Sequence, residues 1–255
     1  MSTLTTDPLG LYQGCLFAMD DPACDGSFAG ERRIQLDDDS WVDIVARWMR
    51  GADLVFGELV ARLPWDQREV VMYDRLVPEP RLTAWWSIRQ DAPEPLPVLA
   101  DARQLLSRHY ARPFDSIGFN LYRDGRDSVT WHSDRERYVH EDPVVAIVSV
   151  GAPRTFHMRP RPGVEGEHHQ FLVGQGDLLV MGGGCQHHWE HAVPKIAHAA
   201  GPRLSIMFRH DQADLADWRE RWSRSLMPNM PNMPHDAGEA DAVQRAAAAR
   251  TAATT

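Results

Sequence analysis

The stretch Val144-Val145-Ala146-Ile147-Val148-Ser149-Val150 decides the fold of this chain. It is a nearly continuous apolar run, interrupted only by Ser149. A short run of this kind, bounded by polar segments, is typical of a strand that is buried on both faces. The sequence therefore predicts a sheet at the centre of the protein that is covered on both sides.

Further short strands are expected on either side of this run. Gly and Pro residues separate them, and Asp124-Gly125 is a strong turn signal after the first. Together with the central run, the predicted strands are 117–122, 154–158, 170–173, 177–181, 188–192 and 203–209. About eight strands at this spacing favour a double-sheet jelly roll.

Two helices are predicted before the strands. The apolar period is helical over 52–60, where Pro64 ends the pattern. A second helix is expected over 95–110, with Leu96, Leu99, Leu105 and Leu106 as its buried stripe. The predicted fold is mainly β with flanking helices: a double-stranded β-helix (jelly roll) core buttressed by the N-terminal helices.

The chain is expected to form one domain with less ordered ends. Residues 1–30, rich in Gly, Asp and small residues, are predicted to be a loose arm or irregular coil. Residues 31–226 form the predicted single domain, with 114–210 as its motif-bearing core and a polar helix over 213–224. The Met-Pro-Asn repeat and Ala-rich end make 227–255 a predicted disordered tail.

The charge distribution bears on the choice of partner. The net charge is −9, but residues 1–45 carry nine acids and two bases, and residues 211–255 carry seven acids and five bases. The core over 46–210 is therefore neutral and can still hold a phosphate backbone through local arginines. No apolar run is long enough to span a membrane, and three cysteines without metal spacing favour a reducing cytoplasm.

The segment Trp131-His132-Ser133-Asp134 contains two thirds of a non-haem iron site. His132 and Asp134 are two residues apart, so both side chains leave the same face of an extended chain. Two histidines and one carboxylate on one face of iron(II) leave positions open for a co-substrate and oxygen. For the second histidine, His187 and His191 have the same strand parity, so alternation does not choose between them, whereas His188 lies on the other face.

A second pattern indicates a dicarboxylate co-substrate. In the last predicted strand Arg203, Ser205, Met207 and Arg209 point to one side, and this side faces the interior if the apolar set packs on the helices. A buried guanidinium needs a partner. 2-Oxoglutarate offers a carboxylate to each arginine, and Asn120 and Tyr122 add donors. The alternative is that the arginines pair with acids such as Asp177.

These motifs, in this order and spacing, resemble those of the AlkB-type iron(II)/2-oxoglutarate dioxygenases, which remove alkyl groups from nucleobases. The resemblance is strong over 114–210 and loose over 60–113. It is carried by Asn120-x-Tyr122, Trp131-His132-Ser133-Asp134, Gly176-Asp177-Leu178-Leu179-Val180-Met181, His188-Trp189-Glu190-His191-Ala192-Val193-Pro194 and Pro202-Arg203 to Arg209.

The resemblance implies a role for each matching residue. It implies iron binding by His132, Asp134 and His191, because the family's second iron histidine precedes a small residue, an aliphatic residue and proline. It also implies that Asn120, Tyr122 and Arg203 bind the remote carboxylate of 2-oxoglutarate. By the same mapping, Arg209 is the partner of the carboxylate near the metal, and Glu136 is the acid that reads the damaged base.

The substrate-recognition segment departs from the family pattern. Relatives follow the Pro-Arg of the lid with a Tyr-rich segment, whereas Pro80-Arg81 here leads through Trp85 and Trp86 straight toward the second helix. The lid is therefore shortened. Either tryptophan is a candidate for stacking on a flipped base, the alternative being that they are the core and surface pair of a strand.

Three arginines are candidates for gripping phosphates beside the mouth of the site: Arg154, Arg159 and Arg161, near His157. The alternative is that they belong to a solvated hairpin. The resemblance implies iron(II), 2-oxoglutarate and oxygen as cofactor and co-substrates, and alkylated DNA or RNA, single-stranded or with a flipped base, as partner. We expect a cytoplasmic monomer without membrane contact. Two rivals remain: a dioxygenase acting on protein or small molecules, which the shortened lid favours, and a non-catalytic binding module on the same fold.

Overall fold

The computed structural model describes residues 20–72, 75–90, 92–134, 142–197 and 200–210, all within one compact unit, Met1–Ala213. The helices are α1 (Ala52–Arg62), α2 (Pro97–His109) and the short α3 (Cys185–His188). The first seven strands are β1 (Ala23–Cys24), β2 (Arg32–Gln35), β3 (Ser40–Val45), β4 (Met49–Arg50), β5 (Glu69–Met72), β6 (Arg75–Pro78) and β7 (Leu82–Ser87). The next eight are β8 (Ser116–Tyr122), β9 (Val129–His132), β10 (Val145–Gly151), β11 (Arg154–Pro160), β12 (His169–Val173), β13 (Asp177–Gly183), β14 (Trp189–Val193) and β15 (Arg203–Arg209).

Two antiparallel sheets face each other. The larger has the strand order β2-β3-β13-β10-β15-β8-β7, and the smaller has the order β12-β11-β14-β9. Strands β8 to β15 are shared four and four between the sheets, which is the predicted jelly roll. Strands β2, β3 and β7 extend the larger sheet at its two ends.

The larger sheet is covered on both faces, as its central strand predicted. All of β10 is buried. One face, with Ala146 and Val148, belongs to the apolar cluster that contains the helices, and the other, with Val145 and Ile147, belongs to the cluster between the sheets. An alternating strand would have left one face to water, so the continuous apolar run follows from this double burial.

The two predicted helices are confirmed. Helix α1 buries Val55, Phe56 and Leu59 and ends at Arg62, before Pro64. Helix α2 starts with Pro97 at its first turn, where the missing N–H costs no hydrogen bond. It buries Leu99, Ala102 and Leu106 against the same cluster.

The N-terminal boundary needs correction. Residues 20–30 are not a loose arm, because β1 pairs with β4 and Phe28 is buried, stacked on His109 with ring centroids 3.7 Å apart. The first 19 residues of the predicted arm, the predicted helix over 213–224 and the predicted tail over 227–255 lie outside the described residues.

Candidate metal centre and co-substrate channel

Three potential metal ligands meet on the inner face of the smaller sheet. His132 ends β9, Asp134 follows two residues later, and His191 lies opposite His132 in the pairing of β14 with β9. The Nε2 atoms of His132 and His191 lie 4.0 Å and 3.7 Å from the carboxylate oxygens of Asp134. One ligand atom from each of the three residues lies within 4.8 Å of the other two. This is a compact facial set of two imidazoles and one carboxylate.

The hydrogen bonds around the three residues direct the ligand atoms inward. Nδ1 of His132 lies 2.8 Å from the carbonyl oxygen of Thr130, which can only accept, so Nδ1 carries the proton and Nε2 keeps its lone pair. The backbone N–H of Asp134 donates to Oε1 of Gln186 at 2.8 Å. The hydroxyl of Ser133 donates to the carbonyl oxygen of Trp189 at 2.7 Å, tying the segment to β14.

The protonation states also suit a metal ion. Burial lowers the pKa of His191 to about 3, so its imidazole is neutral at pH 7. Burial acts to raise the pKa of Asp134, but the charge of Arg209 and the two imidazoles outweigh it and hold the pKa below its usual value. A neutral imidazole and an ionised carboxylate are the forms that bind a metal, so no proton has to leave either group at neutral pH.

A row of polar side chains continues from these ligands along the inner face of the larger sheet. Arg209 stands at the metal end, where its Nη2 donates to Oδ1 of Asp134 at 2.8 Å. Arg203 stands at the other end of β15, opposite Tyr122, and Ser205 lies opposite Asn120. We call this inner face, from Arg209 to Arg203, the channel, and the Arg203 side its distal end.

The donors at the distal end fit a carboxylate. Arg203 is fully buried, and its Nη2 donates to Oγ of Ser149 at 2.7 Å. Its Nε and Nη1 have no hydrogen-bond partner in the part of the chain that the structure describes. Burial raises the pKa of Tyr122 although the nearby arginines act in the opposite direction, so Tyr122 stays a neutral hydroxyl that can donate. A carboxylate there would satisfy groups that are costly to leave unpaired.

Residues 75–209 match the model of a family described as "2OG-Fe(II) oxygenase superfamily". The chain belongs to this superfamily. Its members use iron(II), 2-oxoglutarate and oxygen, which agrees with the predicted cofactors and with the three ligands His132, Asp134 and His191.

The similar proteins belong to the AlkB group. The chain is 36% identical to the "Alpha-ketoglutarate-dependent dioxygenase alkB homolog 3" of Mus musculus over 177 residues, which are 63% of this chain and 62% of that protein. It is 34% identical to the Homo sapiens protein of the same name over the same length, with the same coverage. It is 31% identical to the "DNA oxidative demethylase ALKBH2" of Arabidopsis thaliana over 117 residues, 38% of this chain and 37% of that protein. The chain thus spans about three fifths of the length of the alkB homolog 3 proteins, and the AlkB-type resemblance is confirmed.

The choice between His187 and His191 has a structural answer. His191 is buried among the ligands, stacked on Phe156 with ring centroids 5.2 Å apart. His187 lies in α3, where strand parity does not apply. The short helix was not foreseen, and it removes His187 from the alternation that made the two residues look equivalent.

The two tryptophans of the shortened lid have different environments. They lie in β7, an edge strand, and not in a loop. Trp86 is 5% exposed, donates its Nε1–H to the carbonyl oxygen of Ala92 at 3.1 Å and packs in the helix-side cluster, so its predicted stacking role is wrong. Trp85 is 40% exposed and lies opposite Gly118 on the channel face.

Gly118 brings Trp85 close to the metal end. A Cβ atom at this position would lie 3.0 Å from Nη1 of Arg209, 3.2 Å from Cε of Met207 and 3.3 Å from Cζ3 of Trp85. The three side chains therefore meet over the glycine, and Arg209 in turn contacts Asp134. The side chain of Arg209 thus lies between the exposed indole of Trp85 and the potential metal ligand Asp134.

The three arginines expected to grip phosphates do not lie together. Arg154 is 2% exposed and faces the interior, so it is not available to a phosphate. Arg159 is on the opposite face of β11, where it donates to Glu190 at 2.8 Å and lies 4.3 Å from the centre of the Trp131 ring. Arg161, just after β11, is half-buried and its backbone N–H donates to the carbonyl oxygen of His188. Glu136 lies outside the described residues.

Two supporting residues were missed at the sequence level. Gln186 is fully buried and positions the backbone of Asp134. Ser149 is fully buried and holds Arg203. Ser149 carried a usable signal, since it is the single polar residue in the apolar run of β10, and a buried hydroxyl needs a partner. Among the described residues, no helix is long and apolar enough to cross a membrane.

Proposed function

We propose that the protein is an iron(II)/2-oxoglutarate-dependent dioxygenase that removes alkyl groups from nucleobases. The observation that carries the proposal is the juxtaposition of the His132, Asp134 and His191 ligands with a channel that ends at the buried Arg203. The names of the similar proteins, alkB homolog 3 and DNA oxidative demethylase, support the substrate class.

The residues of this chain provide the binding and orientation for that reaction. His132, Asp134 and His191 hold iron(II), and Asn120, Tyr122 and Arg203 hold the distal carboxylate of 2-oxoglutarate. Arg209 orients Asp134 and is the partner of the carboxylate near the metal. Iron(II), when bound, would supply oxidation of the alkyl carbon by oxygen: one oxygen atom would hydroxylate that carbon and the other would enter 2-oxoglutarate as it becomes succinate and carbon dioxide. The hydroxylated carbon would then leave as an aldehyde. The apolar walls between the sheets keep water from the reacting atoms.

Trp85 is the stacking surface for the target base in this proposal. Among the described residues it is an exposed aromatic side chain on the channel face, and it shares the space over Gly118 with Arg209, which places it beside the metal end. Stacking on an aromatic side chain is how enzymes hold a base that has left the helix stack. Glu136 remains the proposed reader of the damaged base, and Arg159 and Arg161 remain proposed phosphate contacts at the periphery.

We further propose that the substrate is a single strand or a flipped base, and that the protein acts as a cytoplasmic monomer. The neutral core supports limited contact with phosphates, since 46–210 carries equal numbers of acids and bases. The pairing of Arg159 with Glu190 reduces the free positive charge further. Recognition therefore depends more on the base than on the backbone.

The experiment is succinate release over a panel of DNA and RNA oligonucleotides, single- and double-stranded, each with one base methylated on a ring nitrogen. We expect release above the no-oligonucleotide background for at least one single-stranded member. Trp85→Ala should raise the KM for that oligonucleotide about tenfold, as stacking contributes ~1–3 kcal/mol per base. Ile88→Ala, which shortens another exposed apolar side chain just after the same strand, is the matched control and should leave KM unchanged.

Three outcomes would contradict parts of this proposal. Uncoupled 2-oxoglutarate turnover that no oligonucleotide stimulates would favour a protein or metabolite as substrate. Absence of 2-oxoglutarate turnover and binding would favour a non-catalytic module. If Trp85→Ala and Ile88→Ala change the KM for the oligonucleotide equally, Trp85 is not part of the substrate site. That result would not contradict the proposed reaction class.

A further inference from the structure

Arg154 lies buried at one end of the space between the two sheets. It begins β11 on the same face as Phe156, which packs between the sheets. Its Nη1 donates to the carbonyl oxygen of Asp124 at 3.0 Å, and its Nη2 donates to those of Asp127 at 3.0 Å and Pro194 at 2.7 Å. These contacts fix the guanidinium in place, but carbonyl oxygens do not neutralise its charge.

Tyr122 lies beside both Arg154 and Arg203. The two guanidinium carbons are 5.8 Å and 5.4 Å from the centre of the Tyr122 ring. Neither arginine forms an ion pair with a carboxylate among the residues that the structure describes. The nearby acids are engaged elsewhere, since Asp124 pairs with Arg126 and Asp127 pairs with Arg123.

Two buried like charges are electrostatically unfavourable unless counter-charges offset them. Burial lowers the pKa of Arg203 to about 10, and the charge of Arg154 acts in the same direction. Burial also lowers the pKa of Arg154, although Tyr122 and the nearby carboxylates of Asp127 and Asp124 act in the opposite direction. Both side chains stay protonated at pH 7, so this end of the channel carries positive charge that a bound carboxylate would offset further.

We infer that Arg154 is a specificity-determining residue that, together with Arg203, selects a co-substrate with a second carboxylate. Arg203 contacts the carboxylate, and Arg154 contributes its charge from behind Tyr122. The inference rests on the proposed use of 2-oxoglutarate, but not on nucleic acid being the substrate. This role also explains why the hydrogen-bond partners of the buried Arg154 guanidinium are neutral carbonyl oxygens. A carboxylate paired directly with Arg154 would cancel the charge that attracts the co-substrate.

The experiment compares two ligands that differ only at the distal end. 2-Oxoglutarate carries a carboxylate there, and 2-oxopentanoate carries a methyl group. Dissociation constants for both are measured by calorimetry on the full-length protein loaded with manganese(II), so that binding is read without turnover. Arg154→Gln removes the charge and keeps a donor, whereas Arg154→Lys keeps the charge.

We expect Arg154→Gln to weaken 2-oxoglutarate binding about tenfold and to leave 2-oxopentanoate binding within about twofold. Arg154→Lys should keep the preference for 2-oxoglutarate within about threefold of the original protein. If the Gln variant does not fold, the Lys variant alone tests whether the charge of Arg154 sets this preference. Arg103→Gln removes a partly buried arginine on α2, outside the channel, and should change neither constant.

The inference is overturned if Arg154→Gln weakens both ligands equally, because Arg154 would then act only as a structural tie between loops. A folded Arg154→Lys variant that loses the preference would also overturn it, since charge would then not be the property that matters. Neither result depends on whether the enzyme dealkylates nucleobases, so failure of this inference and failure of the proposed function are distinguishable.

Discussion

The two ends of the channel differ in how their charges are balanced. At the metal end, Arg209 and Asp134 form a direct pair at 2.8 Å, and His191 is neutral. At the distal end, Arg203 and Arg154 are both cationic and both buried, and neither has a carboxylate partner among the described residues. The metal end is thus assembled by its own residues, whereas the distal end depends on the co-substrate for its charge balance.

This difference has consequences for ligand binding. A preorganised set of ligands loses little conformational freedom when a metal binds. A buried guanidinium with unpaired donors gains a charge-assisted hydrogen bond when a carboxylate arrives. The protein should therefore bind the metal without the co-substrate, while the affinity for 2-oxoglutarate should depend strongly on the distal end.

The largest expected effect comes from breaking the metal end. His132→Ala, Asp134→Ala and His191→Ala should each lower iron(II) affinity strongly and abolish turnover, because each removes one of three ligands. His187→Ala and His188→Ala, which alter the neighbouring helix α3, should keep most activity. Iron content after dialysis and succinate release check this together. A folded His187→Ala variant without turnover, beside an active His191→Ala variant, would reverse the assignment.

A smaller effect is expected from breaking the distal end. Arg203→Ala should raise the 2-oxoglutarate requirement by one to two orders of magnitude, since a charge-assisted hydrogen bond is worth ~1.5–3 kcal/mol. Arg209→Ala should also raise it, but should in addition weaken iron binding, because Arg209 holds Asp134 in its ionised form. Titration of 2-oxoglutarate at saturating iron separates the two effects. If the affinity for 2-oxoglutarate is unchanged in both variants, Arg203 and Arg209 have a structural role and do not bind the co-substrate.

The smallest expected effect is on acid stability of the metal-free protein. The pKa of His191 is about 3 in the folded protein against 6.5 ordinarily, so the unfolded chain takes up a proton in this window that the folded chain does not. Stability should therefore fall as the pH drops below about 6.5, by ~1–2 kcal/mol between pH 7 and pH 5. His191→Asn should lose that part of the dependence, and the exposed control His168→Asn should keep it. Urea unfolding at the two pH values measures the difference.

Part of the core could be predicted from the sequence because one of its strands is almost continuously apolar and another largely alternates between apolar and polar residues. β10 and β15 illustrate the two cases, and both were predicted nearly to the residue. β2 and β3 were missed, since β2 is largely exposed and β3 hides a buried Asp43 that pairs with Arg33. Only tertiary contact makes a charged residue compatible with a buried strand.

The site was predictable where spacing alone fixes the geometry. His132 and Asp134 share a face because they are two residues apart, while the choice of His191 needed the family motif. The prediction that Arg154 and Arg159 act together is wrong, because their opposite strand parity places them on opposite faces of β11. The different roles of Trp85 and Trp86 could not be predicted from the sequence. The pairing of β7 with β8 decides which of the two adjacent residues faces the channel.

In the proposed function, oxidation of 2-oxoglutarate is coupled to removal of an alkyl group from a base. The most direct measurement is the ratio of formaldehyde to succinate with a single-stranded oligonucleotide carrying one base methylated on a ring nitrogen, followed by mass spectrometry of the oligonucleotide. We predict one formaldehyde per succinate above background, with a loss of 14 mass units, the size of a CH2 group, and no product with His191→Ala. Succinate formation without formaldehyde or mass change, for every methylated base tested, would contradict the claim.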